Sequence, residues 1–305
     1  MKIPTFVLER KKLPRLLFSF QSVTRPGQPE IVSLMRRIYD LGVSHFDLPS
    51  LRYLESFREL RRLIEDETLL GLGHIEAEVG ASFFGKPLHL FEEKVVATMI
   101  KNLFPPYLIR NFQRIGLWNE KLFFRVPSSR EVFTQKEIDR LSFDAPRFDR
   151  ALSSFHPQES PFLVLGGSYT DWLLALGRVD LLKEMVFRIS QRDFIPILGA
   201  NWATFALPKA KVLDVAAYAV PINSRWGLFD LDQAARLIKK FDRPVISLNP
   251  LDDGRLLDCP EDAFAYLFDD LKIHGAIAEV ASDAEVERLL KALRKIPSLI
   301  PPRKT

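Results

Sequence analysis

The chain has 305 residues, of which 47% are hydrophobic and 27% are charged, so it can bury a large core and is neither disordered, collagen-like nor a coiled coil. Its net charge of +4 is on the scale that keeps a protein of this size in solution. No basic stripe with interleaved aromatic residues and no helix-turn-helix pattern accompanies its densest basic cluster, residues 10–12, so we expect no nucleic-acid partner.

The sequence gives no sign of a membrane or of an oxidising compartment. Charged residues interrupt every apolar run before it reaches the roughly 18 to 20 residues that cross a bilayer. Residues 1–15 also lack the unbroken apolar segment of a signal peptide. Cys259 is the single cysteine, so no internal disulfide can form. We therefore expect a cytoplasmic protein.

The first half of the sequence alternates short apolar strands with amphipathic helices. Residues 15–19 (RLLFS) predict a strand, and residues 29–41 predict a helix that Gly42 ends. Residues 43–47 (VSHFD) predict a second strand and residues 53–64 a second helix. This order is typical of a parallel sheet with helical crossovers.

Residues 67–119 do not fit the alternation. They separate the second helix from a predicted third strand at 121–126 (KLFFRV), whereas such connections usually have roughly 2 to 6 residues. We therefore predict an insertion here, with a helix over 88–103 that packs on one rim of the sheet structure. Its Gly-rich first part, residues 71–85, suggests a flexible lid.

Five further strands are predicted downstream, at residues 162–165, 195–198, 212–219, 244–248 and 275–280. Helices are predicted at residues 173–188, 230–240, 259–271 and 283–293. Eight strands favour a (β/α)8 TIM barrel, in one domain over residues 1–305 with 67–119 inserted. A doubly wound open sheet is the alternative, but no GxGxxG follows the first strand.

Several segments resemble the aldo-keto reductases. LGVSHFD at 41–47 is similar to their second strand, KLFFRVP at 121–127 to their third, and ILGANWATF at 197–205 to their fifth. PVISLNPLDDGRL at 244–256 is similar to the seventh strand and its loop, and AIAEVASDAEVERLLKAL at 276–293 to the eighth strand and closing helix. These pieces occur in the family's order and span most of the chain outside 67–119.

The resemblance implies hydride transfer from NAD(P)H to a carbonyl, with a Tyr general acid whose pKa is lowered by an Asp and a Lys. Asp47 falls on the family's Asp, and Tyr53, one residue later than in the family's spacing, is the candidate Tyr. Arg125 occupies the Lys position, where its planar guanidinium is a poor substitute for an ammonium. The family's His would fall at Gly166 and Gly167, which leaves that role empty.

The positions that bind the family's cofactor also differ. Leu248 replaces the ring that stacks on the nicotinamide, Ala200 replaces a Ser, and Glu279 lies where the cofactor's phosphate would approach and repels it. Asn201 and Asn249 remain as candidate cofactor contacts. We therefore expect NADPH, the cofactor that the resemblance implies, to bind negligibly in the family's manner.

Polar residues at the carboxyl ends of the predicted strands would line the barrel mouth, where TIM-barrel active sites lie. They are Asp47, Arg125, Asn201, Asn223, Asn249, Asp252, Asp253 and Glu279. Asp47 and Arg125, on adjacent predicted strands, would form either a clamp for a substrate carboxylate or an internal structural ion pair.

Other polar motifs favour ordinary structural roles. His74, Glu76 and Glu78 alternate and could face one side, but no metal-binding spacing such as HExxH is present, so we predict no metal site. Asp252, Asp253 and Gly254 predict a tight turn. Cys259 precedes Pro260 at a predicted helix start and has no His partner nearby in the sequence.

Two functional hypotheses follow. The first is an enzyme that acts on a small-molecule substrate at the mouth of an aldo-keto-reductase-like barrel, with Asp47, Tyr53 and Arg125 as its candidate catalytic residues. NAD(P)H-dependent carbonyl reduction is one form of it. The second is a catalytically silent barrel whose insertion binds a partner or forms a homo-oligomer. Fold resemblance alone does not choose between them.

Overall fold

The computed structural model describes residues 3–21, 28–103, 131–225 and 230–299. Its first elements are the antiparallel strands β1 (Thr5–Leu8) and β2 (Lys11–Pro14). Eight parallel strands then form a closed barrel. In chain order they are β3 (Leu16–Ser19), β4 (His45–Leu48), β5 (Leu70–Glu76), β9 (Phe162–Gly166), β10 (Ile195–Gly199), β11 (Ala217–Val220), β12 (Val245–Ser247) and β13 (Gly275–Glu279). The predicted (β/α)8 barrel is confirmed.

Helices surround the barrel on the connections between its strands. They are α1 (Gln28–Asp40), α2 (Leu51–Ile64), α6 (Ser168–Ala175), α7 (Val179–Gln191), α8 (Ala203–Ala210), α9 (Leu231–Lys239), α10 (Pro260–Phe264), extended by a π-helical turn at Ala265–Asp270, and α11 (Asp283–Leu293). The single helix predicted at 173–188 is two helices, because the chain turns at Gly177, whose φ is +75°.

The insertion lies later in the chain than the sequence predicts. The third barrel strand is β5, which pairs with β4 on one side and β9 on the other, so residues 77–161 form the insertion between the third and fourth strands. The segment 121–126, predicted as the third strand, lies outside the described residues, and the barrel closes without it. The Gly-rich segment predicted as a lid therefore begins within the barrel strand β5.

The described part of the insertion combines a small sheet with three helices. Strand β6 (Ala81–Phe83) pairs with β7 (Lys86–Pro87) and β8 (Leu141–Phe143). The helices are α3 (Glu92–Leu103), α4 (Gln135–Ile138) and α5 (Ala145–Leu152). Helix α3 buries Val95 and Met99 completely and contacts α6, so its predicted apolar stripe is covered by the helical layer.

The core has two parts. Inside the barrel, alternate strand residues such as Leu17, Leu72 and Ile277 pack together with Phe6 and Leu13 of the β1–β2 hairpin, which closes the amino-terminal end. A larger cluster fills the space between the strands and the helices. Among the described residues, no helix combines the length and apolar character needed to span a bilayer.

Candidate functional site at the barrel mouth

The carboxyl ends of the barrel strands form the candidate site. Because side chains alternate along a strand, the residue two positions after an inward-facing one also faces inward. Leu17, Leu72 and Ile277 belong to the interior cluster, so Ser19, His74 and Glu279 face the interior one layer nearer the mouth. Asp47 also faces the interior, because its register partner on the adjacent strand is the inward-facing Leu72.

Asp47 and His74 form an ion pair in this layer. His74 Nε2 lies 2.6 Å from Asp47 Oδ1, and their side chains are 22% and 3% exposed. Burial of the imidazole opposes its protonation, but the charge of Asp47 and its hydrogen bond outweigh that effect and raise the pKa of His74 above its usual value. The contact therefore stabilises the imidazolium and fixes the orientation of the ring.

Two further carboxyl groups face the mouth on either side of this pair. Burial raises the pKa of Glu76, with a smaller contribution from Glu78. Burial also raises the pKa of Glu279, and the charges of Asp253 and Asp47 add to the effect. Both side chains nevertheless keep exposed surface, so they can reach a bound molecule.

Gly167 makes room for the carboxyl group of Glu76. A Cβ atom placed on Gly167 would lie 1.6 Å from Glu76 Oε2, and the φ of this glycine is +81°, which side chains rarely adopt. The position where the family resemblance implies a His, at Gly166 and Gly167, is thus occupied in space by a carboxyl group from the neighbouring strand. No pattern in the sequence indicates that Glu76 reaches this position.

Tyr53 lies on α2 and is 9% exposed. Its hydroxyl donates a hydrogen bond to the main-chain oxygen of Phe20 at 3.1 Å. Burial raises the pKa of Tyr53, opposite to the direction expected of a general acid prepared by an Asp and a cation. The residue that contacts Asp47 is His74 of the true third strand. Arg125, assigned to that role from the sequence, lies outside the described residues.

Asn201, a candidate cofactor contact, is held by a buried carboxylate. Asp171, on α6, accepts hydrogen bonds from the main-chain N–H groups of Asn201 at 2.7 Å and Trp202 at 3.0 Å, and from the Asn201 amide at 3.3 Å. Burial raises the pKa of Asp171 to about 6 despite these donors. The carboxylate therefore anchors the loop after the fifth strand.

Asn249, the other candidate contact, belongs to a turn. Its Nδ2 donates to Asp253 Oδ1 at 2.9 Å and its Oδ1 accepts from the Asp253 N–H at 3.0 Å. Asp252 and Asp253 have φ values of 52° and 55°, as the tight turn predicted there requires. Asn223 supports the turn by donating to the main-chain oxygen of Asn249.

The alternating residues His74 and Glu78 have different contact partners. His74 contacts Asp47, whereas Glu78 contacts Arg147 and His89 in the insertion. Within the described ranges, no group of three His, Cys, Asp or Glu side chains is arranged to hold a metal ion.

The described residues do not fit a nicotinamide dinucleotide in the manner that the resemblance implies. The amide groups of Asn201 and Asn249 are used within the protein. Glu279 places a carboxyl group, with two further acidic groups near it, at the end of the eighth strand. A pyrophosphate there would meet negative charge rather than hydrogen-bond donors.

Comparison with solved structures identifies the class of barrel: the chain has the fold of the aldo-keto reductases. A Pseudomonas aeruginosa protein assigned to the aldo-keto reductases matches with a TM-score of 0.53 and 13% identity, over 95% of each chain. A thermostable aldo-keto reductase in a complex with the inhibitor epalrestat matches with a TM-score of 0.52 and 11% identity, over 99% of this chain and 96% of that one. An aldo-keto reductase of Bacillus halodurans, in its holo form, matches with a TM-score of 0.53 and 10% identity, over 99% of both chains.

The similarity is one of fold. No protein-family model matches the sequence, and no curated protein sequence does. Since identities of 10% to 13% leave most site residues free to differ, the chemistry of the mouth has to be argued from its own side chains.

Proposed function

We propose that this protein is an enzyme that acts on a small molecule at the barrel mouth, with the His74–Asp47 pair as its proton-transferring group. The observation that carries the proposal is the 2.6 Å contact between His74 Nε2 and Asp47 Oδ1. Asp47 is almost fully buried, while His74 keeps about a fifth of its side-chain surface open, at 22%. The pair is therefore anchored on one side and accessible on the other.

The two ring nitrogens of His74 have different roles in this proposal. Nε2 carries the proton that bonds Asp47, which leaves Nδ1 to accept a proton from a bound molecule or return one to it. A carboxylate that orients an imidazole and stabilises its charged form is a recurrent way to make a general base. The raised pKa of His74 favours the protonated ring, so the ring can hold the proton that it would pass to a bound molecule.

The proposal is for proton transfer without a nicotinamide cofactor. It is supported by the engaged amides of Asn201 and Asn249 and by the acidic end of the eighth strand. Tyr53 takes no part, because its hydroxyl is used by the main-chain oxygen of Phe20. Isomerisation, racemisation and elimination, each of which begins with removal of a proton beside an electron-withdrawing group, are the reactions this site suits.

The test is proton exchange in heavy water. The protein is incubated in D2O with a panel of hydroxy acids, keto acids, amino acids and sugars, and loss of carbon-bound proton signals is followed by NMR. We expect exchange into at least one class, reduced by about 100-fold or more in His74→Gln, the scale that general acid–base catalysis supplies. His156→Gln, the same change at an exposed histidine, should retain the wild-type rate.

Three outcomes would contradict the proposal. Equal exchange by wild type and His74→Gln would remove the histidine from the chemistry. Turnover of a carbonyl compound only with NADPH would restore the reductase hypothesis. An inert protein across the panel would favour the silent barrel, in which the insertion serves as a binding surface.

A further inference from the structure

Three inward-facing residues stand side by side at the mouth. Glu279 pairs in register with Ser19 on the adjacent strand. On the next strand, Phe46 pairs with Phe18, so the residues that follow them, Asp47 and Ser19, are also neighbours. Neighbouring strands lie about 4.8 Å apart, so Glu279, Ser19 and Asp47 form a row about 10 Å wide. We call it the acidic row.

The middle of the acidic row has an unmet hydrogen-bonding need. Ser19 is 2% exposed, and its Oγ atom has no hydrogen-bond partner although a carboxylate residue stands on each adjacent strand. Leaving a buried hydroxyl unpaired costs about 1 to 3 kcal/mol, so such atoms usually mark a missing partner.

The opposite wall of the mouth carries no charged side chain at its inward-facing strand ends among the described residues. The inward-facing positions at the ends of β10, β11 and β12 are Gly199, Pro221 and Leu248, of which Leu248 packs on the barrel interior. The described mouth is therefore acidic on one side and uncharged on the other. A molecule that fits both sides has a cationic end and an apolar or neutral body.

We propose that the acidic row binds a primary ammonium group of the substrate. This inference rests on the proposed function, which places the active site at the mouth. An ammonium carries three N–H donors, and Glu279, Ser19 Oγ and Asp47 offer one acceptor each. The positive charge also offsets the repulsion between Asp47 and Glu279.

Two arginines at this end of the barrel do not already fill that role. Arg225 and Arg255 each lie 3.8 Å from Asp252, with side chains 56% and 54% exposed, so they neutralise the turn rather than the row. His74 lies on the far side of Asp47 and bonds its Oδ1 atom. A metal ion is a poorer occupant, since the described residues offer no set of three ligands for one.

The test compares three ligands that share one body. Benzylamine, benzyl alcohol and benzoate are titrated against the whole protein, and dissociation constants are measured by ligand-observed NMR. We expect benzylamine to bind at least about tenfold more tightly than benzyl alcohol, a ratio worth about 1.4 kcal/mol, and benzoate to bind most weakly. Glu279→Gln and Ser19→Ala should each reduce the ratio, Glu279→Gln the more strongly.

The controls separate this inference from the proposed function. Glu287→Gln removes an exposed carboxylate of α11, 52% exposed, and should leave the ratio unchanged. His74→Gln should reduce exchange by about 100-fold or more yet keep the preference for the amine. A wild-type ratio near one, or a preference that survives in Glu279→Gln, would overturn the ammonium site even if His74-dependent turnover is found. Because Glu279 is exposed, that variant is expected to fold.

Discussion

Two histidines on neighbouring strands show how one contact decides the chemistry of a side chain. His45 is half-buried beside Ser44, and with no described carboxylate bonded to it, burial of its ring lowers its pKa to about 4. His74 is also enclosed, but Asp47 lies 2.6 Å from its Nε2, and its pKa is raised instead. The same residue type is thus neutral in one place and readily charged in the other.

Asp47→Asn should therefore lower the pKa of His74, because the opposing charge is lost while the burial of the ring remains. Carbon-bound imidazole protons of His74, followed by NMR between pH 5 and pH 9, would measure the shift. Asp258→Asn, at a fully exposed carboxylate, is the control and should leave the His74 titration unchanged. A His74 pKa that stays the same in Asp47→Asn would show that the pair does not persist in solution.

The same variant has a pH-dependent effect on stability. A raised folded-state pKa contributes stability that is complete below the usual histidine value, about 6.5, and is lost as the pH rises through the folded-state pKa. We expect Asp47→Asn to cost about 1.5 to 3 kcal/mol of unfolding free energy at mildly acidic pH, the range for hydrogen bonds to charged groups. The difference from wild type should shrink above neutral pH, as urea unfolding would show.

At the scale of elements, strand β5 explains why the sequence predicts the insertion before the third strand and the structure has it after that strand. Its sequence, LGLGHIE, contains two glycines, which weaken a strand prediction and favour a loop. In the structure these glycines face closely packed neighbours: a Cβ on Gly71 would lie 2.3 Å from Leu48 Cδ1, and one on Gly73 would lie 2.5 Å from Phe155 Cε1. They are required by packing, which sequence periodicity does not reveal.

Gly73→Ala should consequently destabilise the barrel by about 1 to 3 kcal/mol, the usual cost of overpacking. The new methyl group would displace Phe155 and Leu163, whose Cδ2 lies 2.7 Å from the Cβ position. Thermal unfolding would measure the loss. Adding Phe155→Leu should recover part of it, so that the double variant is more stable than the sum of the single changes predicts. A strictly additive pair would mean that the clash is relieved elsewhere.

The position of Asp47 and the turn near it could be predicted from the sequence, but the side chain that contacts Asp47 could not. The placement of Asp47 on the second strand needed only local alternation, and the turn at Asp252 and Asp253 needed only turn chemistry. The partner of Asp47 depends on which segment forms the third strand: the resemblance of residues 121–127 to the family's third strand points to Arg125, whereas the structure has β5 there. Because residues 71–85 predict a loop, the sequence offers no register between β4 and β5, and His74 stands out only as part of an alternating motif.

At the scale of the whole molecule, the fold of the aldo-keto reductases carries a mouth with several acidic side chains on one wall. We expect NADPH to bind negligibly, because Glu279, Asp47 and Asp253 would face its phosphates. Fluorescence titration should show no saturable binding below the millimolar range. Micromolar affinity, about −8 kcal/mol, would contradict the prediction. Glu279→Gln then serves as a matched probe, since it should improve any residual NADPH binding while it weakens that of an amine.

The pairing of β3 with β13 joins residues 16–19 to residues 276–279, which lie at opposite ends of the described chain. During synthesis, the first barrel strand therefore emerges long before the strand that completes its sheet. Until then the open edge of β3 and the open edge of the last strand made have no partner strand. Phe6 and Leu13, which cap the interior, also lack their final packing partners. Closure depends on contacts of very high sequence separation, which makes it a late and slow event in folding. A nascent chain that stalls before residue 275 would expose two strand edges, and it is at this stage that chaperones should matter most.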